Sequence, residues 1–285
     1  MLYWCFFVLF VFFVDKLLKG IVMQLSPFWR AYRRMVGSEA RARLENRADF
    51  ALIILGVAVT SLSTAATLYF MLGATGTIAG WHRGELIFMQ GFMFCIFAPQ
   101  SACYNSMFWL EHWLKTGAFL RFYTRPANPL LLLALERFHP QGFIVLLIGL
   151  AYCLFGLWGS PLLHEPRFYV GFVLLMPLSA LVLWVINLAA LSTCFWLGES
   201  HPVFMTTGKL VDMSRYPLDL FPKLATMIFM ALPLAGTVWW PSKALLRDAS
   251  LPLTLLGMAL LAGVCVAGLN WMWRAGMRHY AGAGG

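Results

Sequence analysis

The 285-residue chain is 61% hydrophobic and only 12% charged, and it carries a formal net charge of +9. This composition is typical of integral membrane proteins and excludes a soluble enzyme. The basic residues fall in loops between apolar segments, so the positive charge predicts a membrane orientation and no nucleic-acid partner. The six cysteines are scattered through apolar segments without zinc-site or disulfide spacing, so we interpret them as small buried hydrophobic residues.

Residues 1–47 are predicted to form an apolar extension followed by a helix that lies in the membrane interface. The apolar start lacks the basic leader and the cleavage site of a signal peptide. It is interpreted as an interfacial or partly inserted extension, with a further span through Val22 or a true start at Met23 as alternatives. In "PFWRAYRRMV", apolar and basic side chains occupy opposite arcs of a helix. The predicted interfacial helix includes Phe28, Trp29, Arg30, Arg33 and Arg34, and it serves either as a membrane anchor or as a partner contact.

Residues 48–285 are predicted to form an all-α integral membrane domain with six transmembrane helices. A bilayer core needs roughly 20 apolar residues per helix, because unsatisfied backbone groups in lipid are costly. Proline in the middle of the fifth segment, Pro233, removes a helix hydrogen bond and predicts a kink. The predicted spans are residues 50–72, 86–110, 143–158, 168–196, 224–240 and 251–273.

The orientation follows from the lysines and arginines. If both ends of the six-helix body are cytoplasmic, only Arg83, Arg167, Lys243 and Arg247 of the 21 basic residues fall in outside loops. Positive residues concentrate on the cytoplasmic side of membrane proteins, so this assignment is the favoured one. It places Lys209, Arg215 and Lys223 on the inside, in a loop before the fifth span.

The segment from 115 to 142 is predicted to lie on the cytoplasmic side between the second and third spans. A leucine run at 130–133 is too short to cross a bilayer, and prolines at 129 and 140 bracket it. This pattern predicts a short helix that lies flat, with proline in its first turn and another just past its end. We expect part of the apolar surface of this helix to be covered by something other than lipid, and a partner protein is one candidate.

Several kinds of chemistry are not expected in this chain. All twelve carboxylates are assigned to loops or span ends, which disfavours an ion-coupled carrier. No histidine has a ligand-spaced neighbour on its own helix, so we expect no metal site. The chain also lacks a phosphate-binding loop, so we expect neither ATPase activity nor a bound cofactor. Small and hydroxyl residues in the first span predict helix packing more than substrate contact: Gly56, Thr60, Ser63, Thr64 and Thr67.

Five stretches in a fixed order carry a family resemblance. They are "LENRADF", "GWHRGELIFMQGF", "RPANPL", "SRYPLDLFPK" and the terminal "WRAGMRHYAGAGG". Together with six apolar segments, they resemble the ABC-2 type permeases of bacterial ABC exporters over about residues 40–285 of the chain. The extension before Ser26 is unlike that family.

The resemblance implies the transmembrane subunit of an exporter in the bacterial inner (plasma) membrane, surrounded by membrane lipids. Its partners would be a separate ABC ATPase subunit, which binds ATP and magnesium, and a second permease, identical or related. Residues from about 126 to 140 would form a cytoplasmic coupling helix that docks on the ATPase, with the interfacial helix as a second contact. The implied docking residues are Arg125, Pro126, Asn128, Pro129, Leu131, Leu135, Glu136 and Arg137.

Two other functions stay open at this point. An ion-coupled secondary carrier would need an ionisable group inside the membrane and usually an internal repeat. A non-transporting membrane scaffold, or a lipid-modifying enzyme, is the third interpretation. An enzyme would need clustered histidine, aspartate or serine residues near one membrane face, and these residues are dispersed in the sequence.

Overall fold

The computed structural model describes residues 47–72, 77–103, 109–123, 139, 141–247 and 250–279. These parts are mostly helical, with one short antiparallel hairpin that pairs Thr77 with His82 and Ile78 with Trp81. Short 3-10 turns occupy Pro161–His164, Leu218–Leu220 and Leu234–Gly236. The helices and strands are α1 (Arg47–Leu72), β1 (Thr77–Ile78), β2 (Trp81–His82), α2 (Arg83–Cys103), α3 (Leu110–Lys115), α4 (Leu120–Tyr123), α5 (Gln141–Gly156), α6 (Pro166–Ser192), α7 (Cys194–Leu197), α8 (His201–Met213), α9 (Lys223–Ala231), α10 (Trp239–Leu246) and α11 (Leu251–His279).

The long helices run between two ends of one bundle. We name these the hairpin end, at β1 and β2, and the platform end, at α3. Helices α2, α6 and α11 run from the hairpin end to the platform end, and α5 runs back between them. The contacts that fix these directions are Phe88 with Phe168, Gln100 with Asn187, Gly84 with Gly156, Gly149 with Cys95, Gly171 with Leu251, and Gly276 with Phe195.

Helices α2 and α5 touch along a seam of small residues. A Cβ atom added at Gly91 would lie 2.6 Å from the backbone nitrogen of Cys153 and 2.7 Å from the carbonyl oxygen of Gly149. A Cβ at Gly149 would lie 2.7 Å from the backbone nitrogen of Cys95. Small residues at such positions allow two backbones to approach closely, which is the usual basis of helix packing in membranes. This seam holds the centre of the bundle together.

The chain is a mostly helical membrane protein. By length and composition, two helices qualify as membrane spans among the described residues: Pro166–Leu197 and Leu251–His279. Two shorter apolar helices are Ile54–Phe70 and Gln141–Gly156. A third span exists if the bent pair Lys223–Ala231 and Leu234–Leu246 is counted as one.

That bent pair confirms the break expected at Pro233, since its two halves meet at 79°. It does not run from one end of the bundle to the other. Near its start, Asp219 accepts a hydrogen bond of 2.9 Å from Trp81 Nε1 at the hairpin end. After its last residue, Arg247 donates to Gly80, again at the hairpin end. The pair therefore enters the bundle from the hairpin end and returns to it, so the kinked fifth span expected at 224–240 does not cross from one end to the other.

Helix α8 supplies the missing connection between the ends. Ser200, just before α8, contacts Glu111 at the platform end, whereas Asp219, shortly after α8, contacts Trp81 at the hairpin end. Thirteen helical residues cover about 20 Å. Lys223, four residues beyond Asp219, consequently starts its helix at the hairpin end, so its assignment to the side of the platform is wrong. Hydropathy missed α8 because this helix mixes threonine, lysine and aspartate with apolar residues.

Candidate functional site

The platform end is tied to the start of α8 by a single carboxylate. Glu111 of α3 accepts hydrogen bonds from the backbone nitrogen of Ser200 at 2.9 Å and from its hydroxyl at 3.1 Å. Lys115, one turn later in α3, donates to the same carboxylate at 2.8 Å and lies 3.8 Å from Glu199. These contacts join α3 directly to the residues just before α8.

The charge state of this tie is set by its own contacts. Burial raises the pKa of Glu111, but hydrogen bonds from Lys115 and Ser200 outweigh this effect, so the pKa lies below its ordinary value. The hydrogen bond to Glu111 raises the pKa of Lys115 above its ordinary value. Both groups are therefore charged at neutral pH, and charged hydrogen bonds are stronger than neutral ones.

Aromatic contacts join the same platform to α11. The buried ring of Phe119, just before α4, lies 6.2 Å from the ring of Trp273 near the end of α11. His139 donates its backbone N–H to the carbonyl of Ala102 at 2.7 Å, at the end of α2. Tyr123, at the end of α4, and His139 flank the segment predicted to form the coupling helix. The backbone of His139 therefore joins the chain just after that segment to the end of α2.

Helix α8 carries an ionic group on one face. Lys209 and Asp212 are exposed, and the guanidinium of Arg215 forms an ion pair with Asp212. The Asp212 side chain is 66% exposed and the Arg215 side chain is 19% exposed. These charges lie on the surface of this chain, at positions where a helix in contact with hydrocarbon would carry apolar side chains.

The ionic group lies between the two ends of the bundle. The hydroxyl oxygens of Ser214 and Thr237 are 3.0 Å apart in a buried contact, and neighbouring Gly236 packs against Leu261. Leu261 is ten residues beyond Leu251, which begins α11 at the hairpin end, so this level is about 15 Å inside the bundle. Asp212 is the penultimate residue of α8, so it agrees with the expectation that the carboxylates lie in loops or at span ends.

A second cluster closes the hairpin end. Trp81 is fully buried, donates to Asp219 and is covered by the guanidinium of Arg247, 3.6 Å from the centroid of its rings. Arg247 also holds the carboxylate of Glu85 through two bonds of 3.0 Å and donates to the carbonyl of Gly80 at 2.7 Å. Bidentate arginine pairs of this kind fix orientation as well as distance. The cluster locks the hairpin, α2, the loop after α8 and the end of α10 together.

The site residues predicted from the sequence lie outside the described parts of the chain. This applies to the coupling-helix residues between 125 and 137 and to the interfacial helix at 28–34. The buried polar residues have separate roles: Gln100 accepts a hydrogen bond from Asn187, while Gln90 has no hydrogen-bond partner among the described residues. In the same ranges, histidine, cysteine and carboxylate side chains form no group of three that could hold a metal ion.

Within the described residues, the small-residue stripe of α1 is largely exposed. Gly56 has open space around it, and Thr60 and Thr67 donate to carbonyls of their own helix. The expected close packing lies instead in the seam between α2 and α5. The cysteines of that seam, Cys95 and Cys153, are buried, which confirms their interpretation as small hydrophobic residues.

Sequence reasoning missed the two ties at the ends of α8. Glu111 and Lys115 show the four-residue spacing of a helical ion pair, which is a usable signal. The contact between Trp81 and Asp219 spans 138 residues of sequence, and neither residue signals the other. The ionic face of α8 is visible as lysine and aspartate three residues apart in a helical pattern.

A comparison with protein families identifies the family of this chain. Residues 56–284 match the model of a family described as ABC-2 family transporter protein, a range that contains both ties and the ionic face of α8. Searches of curated proteins and of solved structures find no match. The match covers most of the chain and confirms the resemblance seen in its motifs. The chain belongs to the ABC-2 family of transporter proteins.

Proposed function

We propose that this chain is the permease subunit of an ABC exporter in the bacterial inner membrane, driven by a separate ATPase. The family supports a transporter permease, and the tie between Glu111 and Ser200 is the observation that carries the coupling mechanism. Both ends of the six-helix body are cytoplasmic in this proposal. The platform end then faces the cytoplasm, where an ATPase binds.

The proposed mechanism passes movement along α8. The ATPase moves the coupling helix at 126–140, and α3 and α4, which precede it in the chain, follow as a rigid body. Glu111 transmits this shift to the start of α8. At its other end, α8 moves the bent helix pair through Ser214 and the closing cluster through Asp219. Opening and closing of the hairpin end is the expected result.

The chain performs no covalent chemistry in this proposal. ATP and magnesium bind in the partner ATPase, which supplies the phosphate-binding loop that this sequence lacks. The permease contributes only the change in access from one side of the membrane to the other.

A second permease subunit is proposed to cover the ionic face of α8. Exposed charges at this depth are costly in hydrocarbon, so they require a water-filled path or a protein surface. The exposed small-residue stripe of α1 offers a further surface for close helix contact. An identical or a related partner satisfies both requirements, with the cargo path between the two subunits.

The coupling proposal is tested with Leu131→Asp and Leu135→Asp, which place a charge in the predicted docking helix. We expect normal membrane insertion and loss of transport-linked ATP hydrolysis. Glu111→Ala should reduce coupling from within the described platform. Glu199→Ala is the matched control, because Glu199 contacts Lys115, whereas the hydrogen bonds from Ser200 go to Glu111. Normal turnover in all the variants would refute the proposal.

An ion-coupled carrier is the second candidate, and Asp212 is the observation that favours it. A carboxylate at membrane depth is the group that such carriers use to bind a proton or sodium ion, and Asp212 is exposed on the surface of α8. Asp212→Asn distinguishes the two candidates. A carrier loses transport driven by an ion gradient in this variant, whereas the exporter shows no transport dependent on such a gradient in either form.

A further inference from the structure

A cavity of about 810 Å³ lies between α1, α2 and α5. Its walls are apolar and include Leu62 and Ala66 of α1, Ile87 of α2, and Ala151 and Phe155 of α5. The volume lies in the range of well-formed ligand pockets. The cavity belongs to neither tie of α8, and the transport proposal assigns no role to it.

The cavity opens sideways from the bundle. Leu62 and Phe155 in its walls are 68% and 69% exposed, and Phe70 is 79% exposed. Helix α1 is held near the cavity by the hydroxyl of Tyr152, which donates to the carbonyl of Ser61 at 2.6 Å. In a membrane, an opening with such walls faces lipid chains. An apolar chain that enters it gains dispersion contacts on several sides.

One cation stands at the hairpin end of this cavity. Arg83 is the first residue of α2, is exposed, and places its guanidinium 5.4 Å from the ring centroid of Tyr69, which also lines the cavity. The start of a membrane helix lies at the level of lipid headgroups. Guanidinium groups match the geometry of phosphate oxygens better than other side chains do. The cavity therefore combines an apolar body with a phosphate-binding mouth.

We propose that this cavity binds one anionic phospholipid from the leaflet at the hairpin end. An acyl chain lies against Leu62, Ala66 and Ala151, and the phosphate contacts Arg83. The bound lipid fills the space between α1 and the seam of α2 and α5, so it stabilises the position of α1. This binding is independent of the ATPase partner and of the cargo.

The test measures lipid retained by the purified full chain, using native mass spectrometry after incubation with phosphatidylglycerol or phosphatidylcholine. We expect phosphatidylglycerol to be retained preferentially, and Arg83→Gln to weaken its retention about tenfold by removing a charged contact. Leu62→Trp, on the exposed face of α1, should reduce retention of both lipids by filling the cavity. Arg167→Gln is the matched control, since Arg167 lies at the same end and does not line the cavity.

Each outcome decides the proposal. Loss of the preference in Arg83→Gln, together with normal retention in Arg167→Gln, supports it. Equal retention of the two lipids by the unmodified chain would overturn it, as would no retention of either lipid or unchanged retention in Arg83→Gln. Arg83→Lys gives a second check, because it keeps the charge and should restore part of the preference if Arg83→Gln folds poorly.

Discussion

Replacing Gly91 by alanine should push α2 and α5 apart. The new Cβ would lie 2.6 Å from the backbone nitrogen of Cys153 and 2.7 Å from the carbonyl oxygen of Gly149, where ordinary contacts are 3.4–4 Å. The obstructing atoms belong to the backbone, so no side chain can rotate away. Overpacking of this kind costs about 1–3 kcal/mol, and the better helix propensity of alanine returns about 0.5–1 kcal/mol. Because the new Cβ meets backbone atoms, the cost lies near the upper end of its range, and we expect a net loss of about 2 kcal/mol in the free energy of unfolding.

Gly56→Ala is the matched control, because a Cβ at Gly56 meets nothing within 4 Å. Only the propensity gain remains, so this variant should be slightly more stable than the parent chain. Thermal unfolding in detergent measures both, and about 2–4 °C per kcal/mol gives a fall of about 4–8 °C for Gly91→Ala. Equal midpoints in the two variants would refute the close seam.

The remaining predictions concern the platform and the path of the chain. Glu111→Ala should lower the thermal midpoint and Glu199→Ala should not, because Glu111 holds the start of α8. Since the pKa of Glu111 is lowered, its contribution is present above the ordinary carboxyl value of about 4.3 and is lost as pH falls through the lower folded value. The difference between Glu111→Ala and the parent should therefore disappear in acid, and a difference that persists there would contradict the tie. The path of α8 is tested by cysteine substitution at Lys223, Arg167 and Arg121, with an impermeant thiol reagent added to one membrane side at a time. The cysteines at 223 and 167 should react from the same side, and the cysteine at 121 from the opposite side. Any other pattern contradicts the path of α8.

The helices could be predicted where a short stretch of sequence is enough to determine them. An apolar run of sufficient length forms a helix in lipid whatever its neighbours, so α6 and α11 match predicted spans closely. The break at Pro233 was also predictable, since proline acts on its own turn. The direction of the chain around that break was not, because it depends on the distant contact between Trp81 and Asp219.

The helix seam shows a similar limit. The sequence contains small-residue patterns in both α1 and α2, but only the pattern in α2 forms a close helix contact among the described residues. Gly91 and Cys95 of α2 face Gly149 and Cys153 of α5, so each small residue meets another across the seam. In α1, hydroxyl side chains bond to their own helix and leave the stripe exposed. A close helix contact needs small residues at matching positions on both helices. The pattern of one helix alone does not show which other helix supplies the match.

The candidate site was predictable only in part. The motifs identified the family, whereas the coupling helix expected between the prolines at 129 and 140 lies outside the described residues and stays a prediction. The ionic face of α8 was assigned to a loop because lysine and aspartate lower the hydropathy of any window that contains them. A charged face inside a membrane protein is stable only with a polar neighbour, which the sequence of one subunit does not display.

The central claim is that a separate ATPase drives this chain through its platform end. The most direct measurement is affinity purification of the tagged chain from its native membrane, with identification of the co-purifying proteins and an ATPase assay on the eluate. The account predicts a stoichiometric ATPase with a phosphate-binding loop, lost from the eluate or uncoupled in Leu131→Asp. A chain that purifies alone, stable and without ATPase activity, would contradict it.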